Sequence, residues 1–222
     1  MAAIIELLIP DRQIQISACL LLYGSEANHD IGAQIIEEIN SMYNAPAAKT
    51  TILNQEMQVV FDISYKLIST SEAARIASMN DDYRYNFIRI ESENHITRSF
   101  MGFGLGDNSG QWLTSDQLGT STTAAHEFGH CLGLDHPANA DFRGSSSPPP
   151  IMAARGSLVD PQYQWNPLAK AGEYGGTMNP KYRKVTKEEI ELLLDGLNFE
   201  QNATYYVGYL SNNLFDRGGS VV

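Results

Sequence analysis

Only two cysteines, Cys19 and Cys131, occur among 222 residues, too few for the disulfide framework of a small extracellular scaffold. Both lie in apolar surroundings, so buried free thiols are expected rather than a bridge. Basic side chains are scarce as well: 15 Lys and Arg stand against 26 Asp and Glu, a formal net charge of −11. Nucleic acid and anionic membrane both need a basic face, which argues against either as a partner. No apolar run approaches the roughly 18 residues of a membrane-spanning helix. Met1 to Pro10 is apolar but short, carries Glu6 and lacks a basic start, so it does not read as a signal peptide. Three placements follow: retention in the cell, export by a route that needs no such segment, or a domain trimmed from a longer protein. Of these, an extracellular or exported location is the expectation.

What is present is a globular composition, 43% hydrophobic and 18% charged, with enough apolar material for a sizeable core. No internal repeat or linker interrupts it, and one domain over residues 1–222 is expected. Gln13 to Tyr23 begins in alternation and becomes continuously apolar, as a strand entering a covered sheet does. Asp30 is placed as the cap of a helix reaching about Met42, with Ile31, Ile35, Ile36 and Ile39 as its buried stripe. Ala45 to Lys49 reads as a turn, and Met57 to Ile68 as a half-buried strand. A short helix is expected over Ser71 to Ser78, with strands at Phe87 to Ile90 and Gln111 to Ser115.

Phe100 to Gly106 alternates Gly102, Gly104 and Gly106 with Met101, Phe103 and Leu105. Either this is an extended segment with a bare backbone face that another chain could approach, or a glycine-rich loop. Thr120 to Thr123 offers hydroxyl caps for the next helix. Ala140 to Pro150 and Asp160 to Pro180 read as long irregular segments. Thr186 and Glu189 form a capping box for a last helix with Ile190, Leu193, Leu194 and Leu197 on its buried side. Asp216 to Val222 reads as a loose tail.

The most informative stretch runs from His126 to His136 and fills every fixed position of H-E-x-x-H-x-x-G-x-x-H. On a helix, His126 and His130 are i and i+4 and project from one face, so both can reach one cation. His136, six residues on, would be carried away by a continuing helix. Gly133 is therefore expected to end the helix in a left-handed conformation and return His136 to the same ion. Three neutral imidazoles leave the fourth position of a tetrahedral zinc open, the arrangement of a catalytic site. Glu127 is read as the general base for the water activated there.

With this signature the chain resembles the metzincin metallopeptidases, and the Gly-Leu-Asp-His form of residues 133–136 resembles their matrixin-like branch. The resemblance implies an α+β zincin fold: a twisted, mostly parallel sheet with an antiparallel edge strand, packed on an active-site helix and a backing helix. An upper subdomain would span residues 1–136. A lower one, 137–222, would be irregular and end in the last helix, with a substrate cleft between the two. The resemblance also implies one catalytic zinc on His126, His130 and His136, with Glu127 as base, and a methionine turn beneath the metal. Met152 is the preferred methionine and Met178 the alternative, and either could instead be a core filler. Calcium is not indicated, since Asp107 and Asn108 read as turn chemistry, and His29 and His95 read as ordinary surface or capping residues.

The expected function is a zinc-dependent endopeptidase that cuts internal bonds of an extended polypeptide. A second reading is a delivered effector or toxin domain, which would have a proteinaceous inhibitor or a fusion or secretion partner. A third is a non-catalytic zinc-binding module of the same fold.

Overall fold

The long apolar run at the start of the chain becomes the centre of a sheet because it is covered on both faces. In the computed structural model, which describes residues 3–102 and 104–222, strand β2 (Gln13–Tyr23) has three neighbours. It pairs in parallel with β4 (Gln55–Leu67) along one edge. Its other edge is shared between β1 (Ala3–Leu8), antiparallel, and β5 (Tyr85–Glu91), parallel. Beyond β5 come β7 (Ser109–Leu113), parallel, and β6 (Phe100–Met101), an antiparallel edge. Strand β3 (Lys49–Ile52) closes part of the opposite edge, and β8 (Thr204–Val207) pairs with β1. The fold is α+β, with a mixed sheet and four α-helices among the described residues.

Helix α1 (His29–Asn44) lies on one face with the metal-site helix α3 (Thr123–Cys131) beside it. Ile14, Ile16, Leu20 and Leu22 of β2 share that core with Ile35 and Ile39 of α1 and Phe128 of α3. The opposite face of β2 (Cys19, Leu21, Tyr23) is covered by Ala73 and Ala77 of α2 (Thr70–Ala77) and by Leu214. Covering both faces explains why the sequence is continuously apolar from Ala18 onward, and why the Cys19 thiol is buried with its pKa raised by desolvation. Cys131 is likewise a buried free thiol.

The edge of β4 is finished by α1 itself. Strand β3 reaches only residues 55–58 of β4. Further along, Asn40 donates to the Ile63 carbonyl and accepts from the Ile63 amide, at 2.8 and 3.0 Å. Asn44 does the same with Phe61, at 2.9 Å each way. Two amides spaced i and i+4 on a helix thus satisfy backbone groups that a neighbouring strand would otherwise pair.

Several boundaries differ from the sequence reading. Helix α1 is capped by Asn28, whose side chain accepts from the Ile31 amide, and Asp30 lies within the first turn. Strands β1, β3 and β8 had no clear signal, since each is short and borrows its pairing from a longer neighbour. The glycine alternation is extended only over Phe100–Met101, and Phe103 lies outside the described residues. Gly102 is small because a Cβ there would lie 2.1 Å from an Asp107 carboxylate oxygen. The strand expected at Gln111 to Ser115 begins two residues earlier and gives way to a 3-10 turn at Thr114–Asp116. Residues 216–222 are tied back, with Phe215 bridging Val221 and the Gly218 carbonyl accepting from the His95 amide. Asp107 and Asn108 are buried rather than at an open turn, and Asn108 accepts from the Ser211 amide at 2.9 Å.

Candidate metal centre

Helix α3 is short, and its end is what assembles the three histidines. Cys131 is its last residue and Leu132 its C-cap, and Gly133 follows at φ +86°. The Gly133 amide donates to the His130 carbonyl and the Leu134 amide to the Gly129 carbonyl, both at 3.0 Å. This pair of bonds is a Schellman turn. A Cβ on Gly133 would meet nothing within 4 Å, so glycine is needed here for its backbone angle and not for space. The turn reverses the chain and carries His136 back over the helix.

The His136 Nε2 lies 3.2 Å from the Nε2 of His126 and 3.2 Å from that of His130. Ligand atoms of all three lie within 4.8 Å of one another, and the group could hold a metal ion. The other ring nitrogens fix the tautomers. His126 Nδ1–H donates to the Ile151 carbonyl at 2.7 Å, and His130 Nδ1–H to the Leu134 carbonyl at 2.9 Å. Both Nε2 atoms therefore carry lone pairs toward a shared point, and lone pairs so close repel unless a cation lies between them. Four-coordinate zinc with Zn–N of about 2.0–2.1 Å places ligand nitrogens about 3.3 Å apart, and the donor set fits that spacing. Burial lowers all three imidazole pKa values, that of His126 well below the usual range with the Arg183 charge adding to the effect. The neutral, metal-binding form is thereby favoured.

Glu127 is buried in the same cleft, where desolvation pushes its carboxyl up to about 7 against the opposing pull of Arg183. Arg183 is 1% exposed and donates to the Thr122 hydroxyl at 3.0 Å and to the Ala153 carbonyl at 3.2 Å. Thr122 sits at φ +67°, a strained position for a β-branched residue, and its hydroxyl donates to the Pro180 carbonyl at 2.6 Å. Thr122 makes no side-chain capping bond, and of the expected hydroxyls it is Ser121 that accepts from a first-turn amide, that of Thr123 at 3.3 Å. A second cap comes from α1: Glu38 accepts from the Ala125 amide at 2.9 Å, a buried carboxylate at a helix N-terminus. Glu38 falls in phase with Ile31 and Ile35 on α1, and a carboxylate in that apolar stripe was its signal in the sequence.

The Ile151 carbonyl that orients His126 belongs to a turn held by the last helix, α4 (Lys187–Leu194). Glu189 accepts from the Met152 and Thr186 amides at 2.9 Å and from the Ile151 amide at 3.3 Å. Met152 packs beneath α3, where a Cβ on Gly129 would lie 2.3 Å from its sulfur. Met178 belongs to a separate small cluster with Ala153 and Val159. His29 and His95 lie away from the three-histidine group, and His95 Nδ1–H donates to the Gly218 carbonyl at 2.6 Å.

Asp116 ties two cleft-lining segments together. One oxygen accepts from the Ser99 amide and hydroxyl, both at 2.7 Å, and the other from Arg155 at 2.6 Å. Burial raises the Asp116 pKa, but the Arg155 and Ser99 bonds outweigh it and hold the carboxyl below its ordinary value. Its ionised form therefore stabilises the fold above about pH 4, and that contribution is lost as pH falls through the lower folded value. In denaturant titrations, Asp116→Asn should be clearly less stable than the parent at pH 6, with the gap narrowing toward pH 3. A gap independent of pH would show that ionisation of Asp116 does not matter.

No family model matches this chain, and no curated protein matches it. Among the described residues, no helix is long and apolar enough to cross a membrane.

Proposed function

We propose that the chain is a zinc-dependent endopeptidase of metzincin type, similar to the matrixin-like branch. The observation that carries this reading is the convergence of His126, His130 and His136 at 3.2 Å Nε2 separations beside the buried carboxyl of Glu127. The three imidazoles would hold the zinc through Nε2, and when bound the ion supplies Lewis acidity toward water and a carbonyl oxygen. Glu127 takes the proton of the attacking water on its carboxylate and passes it to the departing amine nitrogen. A carboxyl titrating near neutrality suits both halves of that exchange. Edge strand β6 pairs only with β7 among the described residues, and Phe100 and Met101 line the cleft. An extended peptide added along that open edge would run past Glu127, with its backbone groups satisfied by the strand.

The α+β fold, with its parallel central strands and antiparallel edge, supports the metzincin reading, and so does the turn at Ile151 and Met152 beneath α3. Purified under metal-replete conditions, the protein should contain one zinc per chain and hydrolyse a casein-type or peptide substrate. A chelator should abolish the activity and added zinc restore it. Absence of zinc in elemental analysis, or hydrolysis indifferent to the chelator, would overturn the proposal.

A further inference from the structure

In a chain with a formal net charge of −11, the cleft at the histidine cluster is basic. Its volume is about 250 Å³, and three of the chain's 15 basic side chains line it, Arg98, Arg155 and Arg183, against one carboxylate, Glu127. All three guanidinium charges act on Glu127, so they share one electrostatic environment. Arg183 is buried and already bonded to Thr122 and Ala153. It contributes charge but is not available as a partner.

Arg98 and Arg155 differ from it. Arg98 is exposed on the segment between β5 and β6, and among the described residues no carboxylate lies within ion-pair distance of it. Arg155 is 51% exposed and uses Nη2 on Asp116, which leaves Nε and Nη1 without a protein partner. Asp116 grips Ser99, next to Arg98, with one oxygen and Arg155 with the other. The two arginine-bearing segments are thus fixed around the cleft by one carboxylate. An adjoining cavity of about 480 Å³ shares Thr123 and Arg155 with the cleft and adds Lys181 and Trp165. Its one carboxylate is Asp116, already engaged, so the positive field extends beyond the cleft.

We propose that this site selects peptides carrying an aspartate or glutamate beside the bond to be cut, its carboxylate held by Arg98 and Arg155. This rests on the peptidase reading and names its substrate class. A carboxylate meeting a guanidinium makes charge-assisted, geometrically specific bonds. The neutral isostere glutamine lacks the charge, and lysine is repelled.

The test compares peptides that differ only in Glu, Gln or Lys at each position flanking the cleavage site. The parent protein should cleave one Glu series with kcat/KM roughly tenfold above Gln at low ionic strength, and the ratio should shrink as salt is added. Arg98→Glu should bring that ratio to about one or below, and Arg98→Ala should give an intermediate value. Anisotropy of the same labelled peptides on zinc-loaded Glu127→Gln protein reads binding without turnover and should follow the same order. Cleavage with no Glu preference, or a preference that survives Arg98→Glu, overturns this selectivity and leaves the peptidase reading standing. If no peptide is cut, the peptidase reading fails. Charge-independent binding in the anisotropy experiment then overturns the selectivity as well.

Discussion

Glu127→Gln should lower peptide turnover by roughly 10²- to 10⁴-fold while the zinc content stays at the parent level. The amide keeps the shape of the side chain but cannot accept the proton of the attacking water. Loss of stability is not the expected cause. Burial lifts the Glu127 carboxyl to about 7, so its ionised form is disfavoured in the folded state. An acid with a raised folded pKa destabilises the fold progressively as pH rises from its unfolded value toward the folded one. Above neutrality the uncharged glutamine should therefore be as stable as the parent or more so. Initial rates, elemental analysis and a thermal melt on one preparation separate these effects. A variant that cleaves at the parent rate would rule out Glu127 as the base.

Glu189→Ala is expected to have the largest effect on the fold. The carboxylate accepts from three backbone amides, and its removal leaves Ile151 and Met152 without that partner in a buried turn and Thr186 without it at the half-buried cap of α4. At about 1–3 kcal/mol for each of the two buried amides, the loss should be about 3 kcal/mol. For a chain of this size that corresponds to a Tm lower by roughly 6–12 °C. The Ile151 carbonyl also orients His126 through Nδ1. Loosening the turn should accordingly weaken zinc binding by roughly 10- to 100-fold. Glu189→Gln, which retains one acceptor oxygen, should fall between the two. Denaturation and chelator competition on the three proteins would show whether stability and metal affinity move together. A destabilised variant with parental affinity would mean that His126 is oriented without help from the turn.

The histidine motif was readable because its chemistry imposes a local geometry. His126 and His130 share a helix face by spacing alone, and Gly133 takes the positive φ that the return of His136 requires. The apolar runs of β2, β4, α1 and α4 were readable for a related reason, since each buries its own periodic face. Glu38, Asp116 and Arg183 were not identified as parts of the site. Each acts across a long stretch of sequence, on Ala125, on Ser99 and Arg155, and on Thr122 and Ala153 respectively. Beyond the position of Glu38 in the apolar stripe of α1, no local pattern marks such a partner. The hydroxyls of Thr120 to Thr123 pointed to a self-contained cap, and Ser121 supplies part of it at the Thr123 amide, but Thr122 turns left-handed to meet Pro180 and Arg183, and Glu38 of α1 takes the Ala125 amide. Met152 and Met178 had similar surroundings in sequence. Only the packing of Met152 against Gly129 distinguishes them in space.

The asparagine pair on α1 bears on how folded copies behave toward one another. An open strand edge offers a row of free amides and carbonyls onto which another polypeptide can stack, the first step of sheet growth between molecules. At Phe61 and Ile63 that row is occupied by Asn40 and Asn44 from the same chain. Replacing both with alanine would leave the β-strand face of the core intact but uncover four backbone groups along this flank. The helix that packs the sheet from above thus also guards its side, and it does so with two neutral amides where other edges rely on charged side chains.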